Sequence, residues 1–191
     1  MKKTLLKYTA ITAITLASMT SGAMAADIDV EASIDTQQAI SLTNNADMVF
    51  GTVEYDAVHS GDIVLATGGT ASLSGATGLV LSGTPNAGDV DIVGDGASVV
   101  EVSCETGATL TDGGANTLTI DVVTVAINGG GDVTCNGLGT SVGTVDLSVT
   151  ANPTVLMGAT IDTTTDGIDV SASYSTANAG GDAVTLRVIY Q

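Results

Sequence analysis

The chain is 191 residues long and carries 21 Asp and Glu against four Lys and Arg, a formal charge of −17 at pH 7. Such a field repels nucleic acid and anionic lipid, which excludes a nucleic-acid-binding role. Hydrophobic residues at 44 % exclude a wholly disordered chain, while 24 Gly, many Thr and Val and no Trp describe strands joined by turns.

Residues 1–25 place Lys2, Lys3 and Lys7 before an uncharged, mildly apolar, Thr-rich stretch ending in Ala23-Met24-Ala25. A basic start, an apolar middle and small residues before the scissile bond read as a cleaved signal peptide rather than a membrane anchor. Its loss removes three lysines, takes the formal charge to −20 and leaves Arg187 as the only basic side chain of residues 26–191. No later run is long and apolar enough to span a bilayer, and neither cysteine lies near the cleavage site. The expected product is exported to the periplasm, cell surface or medium, with no membrane insertion.

The mature chain opens on ADIDVEASID, residues 26–35. There Ile28, Val30, Ala32 and Ile34 alternate with acidic or polar residues, the pattern of a strand with one apolar face. AISLTNNADMVFGTVEY predicts two short strands around an Asn44-Asn45 turn, with Met48, Phe50 and Val53 pointing inward. From Gly61 to Val93 brief apolar runs are cut by Gly68-Gly69, Ser74-Gly75 and Pro85-Asn86, each break having turn chemistry. ASVVEVSC sets Val100, Val102 and Cys104 against Glu101 and Ser103. NTLTIDVVTVAI offers Leu118, Ile120, Val122, Thr124 and Ala126 on one face. GTVDLSVTA, PTVLMGATID, GIDVSASYST and DAVTLRVIYQ supply the remaining strands.

No mature segment keeps a helical period, and the glycine breaks have the rhythm of an antiparallel sandwich rather than of βαβ units. The predicted fold is therefore all-β: one antiparallel β-sandwich over residues 26–191, with 26–35 as an edge strand or a donor strand. Cys104 and Cys135 are the only cysteines. In an exported chain they are expected to pair, worth roughly 3.5 kcal/mol by loop entropy.

Catalytic chemistry finds few of its parts here. His59 is the only histidine, in a polar stretch read as a solvated loop, with no G-x-S-x-G near it. Acid pairs for glycoside hydrolysis abound, but no Trp is available to stack a sugar. An EF-hand loop begun at Asp91 would put Val93 and Val102 where oxygen ligands belong. The Gly-rich stretch Asn128 to Thr134 occurs once rather than as a repeat. No catalytic residue, cofactor site or metal-ligand set is expected, and the protein is expected not to be an enzyme.

The C-terminus alternates Val184, Leu186, Val188 and Tyr190 with Thr185, Arg187 and Ile189. An amphipathic strand at either end of an exported protein can pair within its own sandwich or be donated to a neighbouring subunit. Ile28, Val30, Ala32, Ile34, Val184, Leu186, Val188 and Tyr190 are the candidate self-association residues.

ADMVFGTV, GASVVEVSCETGATLT and the closing PTVLMGATID…YSTANAGGDAVTLRVIYQ resemble the exported bacterial domain-of-unknown-function family forty-four-oh-two. The resemblance implies a secreted, immunoglobulin-like, pilin-like sandwich of unsettled function, and it brings no catalytic residues. The Tyr190-Gln191 ending is similar to the penultimate aromatic of chaperone–usher pilins. Asn178 stands where those pilins tend to place a glycine, with Gly180 and Gly181 displaced toward the terminus. The expected role is a secreted structural or surface protein, a fimbria-like or biofilm-matrix subunit that self-associates by β-strand addition. Its expected partners are itself or a related subunit, and a periplasmic chaperone. The alternative is a monomeric adhesin-like module for glycan or calcium.

Overall fold

The computed structural model describes residues 33–34, 36–163, 168 and 172–191. The chain divides into Met1–Asp35 and Thr36–Gln191, and the folded architecture is that of the second unit. The expected signal peptide and most of the expected strand 26–35 lie outside the described residues, as do Gly167 and residues 169–171 of GIDVSASYST.

Eleven strands and no helix make up the described residues. The first four are β1 (Ser41–Ala46), β2 (Thr52–Leu65), β3 (Ala71–Ser82) and β4 (Gly88–Val93). Then come β5 (Val99–Cys104), β6 (Ala108–Thr111), β7 (Thr117–Ile127), β8 (Val133–Thr134), β9 (Gly143–Asp146), β10 (Thr154–Asp162) and β11 (Leu186–Tyr190). They form an eight-stranded sheet and a three-stranded sheet ordered β11-β5-β9, every pairing antiparallel. The chain is an all-β sandwich, as its composition and turn rhythm predict.

Strand β10 organises the large sheet. Along one side it pairs with β7; along the other it pairs first with β4 and then with β2. Gly158 sits at that handover, where a Cβ would overlap the Leu65 carbonyl oxygen and crowd the Thr67 amide. Only glycine lets the loop after β2 cross so close to the β10 backbone. The core between the sheets is aliphatic: Ile92, Val100, Val102, Val123, Val125 and Val155 are fully buried. Cys104 ends β5 in the small sheet and Cys135 follows β8 in the large one. They are disulfide-bonded with Cα atoms 5.3 Å apart, so the predicted bridge joins the two layers.

Three local expectations are corrected, each by a bulge. Asn44-Asn45 is not a turn. β1 runs through it, pairing Asn44 with Val90 and Ala46 with Asp89, so Asn45 is the extra residue of a bulge. Ser74-Gly75 does not end a strand either, because β2 and β3 make one long hairpin whose register slips twice between Tyr55 and Asp62. Gly78, at φ +63°, allows that slip: a side chain there would overlap the Val58 carbonyl oxygen.

The third correction falls on β7. Ile161 faces Ile120, but Thr160 faces Val122, leaving Asp121 unpaired between them. Its carboxylate accepts a hydrogen bond from the Asp162 N–H at 3.2 Å. Beyond the bulge the inward face passes to the other parity. Leu118 and Ile120 are buried as expected, but Val122 is 37 % exposed while Val123 and Val125 are fully buried.

Asp112 closes the β6–β7 turn, its carboxylate accepting from the Asn116 side chain at 2.5 Å and the Gly114 N–H at 2.7 Å. These donors favour the ionised form and hold its pKa below the ordinary carboxylate value. The stabilisation is complete above that ordinary value and disappears as pH falls through the lowered native value. Below about pH 4, urea midpoints should therefore fall more steeply with acid in the wild type than in Asp112→Asn. Equal slopes would show that the turn is not linked to folding.

Candidate docking groove between the sheets

Residues of both sheets line an open groove of about 1080 Å³ among the described residues. Alternation along the start of β2 turns Val53 and Tyr55 toward it, and Met48 and Phe50 precede them on the same wall. All four are half-buried against the core, so Met48, Phe50 and Val53 point inward as their sequence pattern predicts. Ile63, Ile120, Ile161 and Ile168 add apolar lining, as do Tyr174, Val184 and Leu186.

Aromatic side chains concentrate here. Residues 26–191 hold four aromatics, Phe50, Tyr55, Tyr174 and Tyr190, and the first three line the groove. Such rings supply large contact area at little entropic cost, which is why they recur at docking surfaces.

The groove opens between two sheet edges. On one side is β1 and on the other β11, which among the described strands are paired only with β4 and β5 respectively. Gln191 donates its N–H to Val99 O at 3.0 Å and Glu105 donates to Thr185 O at 3.0 Å. In an antiparallel ladder the in-plane groups alternate, so odd-numbered residues of β11 face β5. The N–H and C=O groups of Leu186, Val188 and Tyr190 therefore face away from β5, toward the edge unpaired among the described strands, while their side chains point inward. Such an edge is a template for another strand.

The structure divides the candidate self-association residues. Val184, Leu186, Val188 and Tyr190 all pack half-buried against the core of their own sandwich, and the first two also line the groove. The Tyr190 hydroxyl donates to Gln38 O at 2.6 Å and accepts from the Asp95 N–H at 2.7 Å, fixing the far end of β11. Ile34 is 86 % exposed, and Ile28, Val30 and Ala32 lie outside the described residues.

The residues weighed for other chemistry have local tasks. His59 is within β2 rather than in a loop. Its Nδ1 lies 2.9 Å from Asp56 O and its ring meets Tyr55 edge-on at 5.3 Å. Asp95 accepts from the Ala97 N–H at 3.2 Å and from the Ser98 hydroxyl at 3.4 Å, capping a turn. Asp132 of the Gly-rich stretch accepts from the buried Thr67 hydroxyl at 2.5 Å. Among the described residues no three His, Cys, Asp or Glu side chains converge as a metal site.

Sequence reasoning missed Leu110 and Tyr174 as groove residues. The usable signal was scarcity: with so few rings in the chain, the place where they gather carries information.

No curated protein and no solved structure matches the chain. A family model does match, over residues 40–177, a span that takes in β1 to β10 and stops short of β11. With most of its length matched, the chain belongs to the family described as "Domain of unknown function (DUF4402)".

Proposed function

We propose that the protein is an exported structural or surface protein, a fimbria-like or matrix subunit that self-associates by β-strand addition. One observation carries this reading. An open apolar groove holding three of the mature chain's four aromatics lies between two sheet edges that are unpaired among the described residues. A monomer gains nothing from leaving that surface wet, whereas an added strand would pair the edge and cover the rings. The acidity then governs assembly, because two copies at a formal −20 repel each other.

Sedimentation velocity and electron microscopy of residues 26–191 test the reading. Association should rise with protein concentration, and also with salt, because the screening length falls from about 30 Å at 0.01 M to about 3 Å at 1 M. A single monomeric species at every concentration and salt, with no fibres, would refute it.

A further inference from the structure

We infer that residues 27–35 of a second copy add to the free edge of β11, with Ile28, Val30, Ala32 and Ile34 entering the groove. This deepens the self-association reading and rests on it.

Length, alternation and charge support this occupant. Nine residues in extended form span about 30 Å. β11 has five residues, about 17 Å on the same rise, so the segment can cover the strand and the groove mouth beyond it. Its apolar residues recur at every second position, as alternate burial on an added strand requires. The groove supplies what such anchors need: Phe50, Tyr55, Ile120, Tyr174, Val184 and Leu186 present an apolar surface of matching kind.

Charge fixes the facing. When the alternate apolar residues of 27–35 turn inward, Asp27, Asp29, Glu31 and Asp35 turn outward. On β11 that outer face exposes Ile189 and Arg187, the one basic residue of the mature chain. The only cation available to offset the acidic strand thus stands on the edge that strand would join. The reversed facing, with carboxylates in the groove, would bury charge without a partner. The pairing therefore sets the face as well as the site.

The test uses the mature chain, residues 26–191. Val30→Asp/Ile34→Asp should weaken self-association at least about a hundredfold, since two aliphatic anchors are lost and two charges face an apolar wall. The double variant keeps its own groove, so it should bind a synthetic ADIDVEASID peptide, and should not bind the peptide with Val30→Asp. Arg187→Glu should weaken association about three- to tenfold, as expected of an exposed charge pair. Peptide carrying Asp29→Lys and Glu31→Lys should restore binding to Arg187→Glu, a rescue that a purely structural arginine would not give.

The outcomes separate the claims. Wild type that associates while the Val30/Ile34 variant associates equally would overturn this occupant and leave self-association standing. Wild type that stays monomeric throughout would overturn self-association itself. A wild-type monomer that refuses the peptide, beside a double variant that takes it, would mean each copy fills its own groove, which also refutes the exchange.

Discussion

Replacing both Cys104 and Cys135 with alanine is expected to destabilise the protein by roughly 3–4 kcal/mol. The bridge closes a loop with a sequence separation of 31, so its removal returns that segment's freedom to the unfolded chain. The native state loses as well. Both sulfurs are buried, Cys104 at 0 % and Cys135 at 2 % exposure, and alanine leaves an apolar gap where the layers meet. For a domain of this size the thermal midpoint should fall by about 10 °C. Differential scanning calorimetry of wild type and double variant measures it, and a midpoint within about 2 °C of the wild type would show that the link adds nothing. Burial also predicts that reductant acts slowly on folded protein and quickly once urea opens it.

The second large effect probes the β7 bulge. Ile120→Ala, at a side chain 2 % exposed, should cost about 2–5 kcal/mol. Val123→Ala, at a fully buried position, should cost about 1.5–3 kcal/mol. Val122→Ala should cost less than about 1 kcal/mol, because Val122 stands 37 % exposed beside Thr160. A strand without the bulge predicts the opposite order for the two valines. Urea unfolding of the three variants decides between them, and a Val122 cost above that of Val123 would refute the register.

That contrast shows where the sequence was readable. β5 puts the buried Val100, Val102 and Cys104 where period two places them, although Ser103 between them is buried as well. β7 begins with the same clarity and then changes face, because an extra residue is accommodated against β10. Pairing partners lie far apart in the chain, so no local window contains them. Asn44-Asn45 and Ser74-Gly75 misled for a related reason: residues that favour turns also favour bulges. The disulfide was legible from the cysteine count and the export expected from the first 25 residues. Of the groove, Met48, Phe50 and Val53 were legible as inward residues. The exposure of the β11 edge was not, since it depends on which strands reach the small sheet. The resemblance read from sequence motifs holds as a family match over residues 40–177, which leaves both proposed docking strands outside the matched span.

The placing of the disulfide has a mechanical corollary. Any tension entering at β11 passes into β5 along five paired residues loaded lengthwise, a shear geometry in which the bonds resist together. At the end of β5 the load path does not depend on side-chain packing, because Cys104 hands the force covalently to Cys135 beside β8 and so to the eight-stranded sheet. A subunit pulled from that edge would thus keep its two layers riveted. Peeling the small sheet away would require breaking a sulfur–sulfur bond.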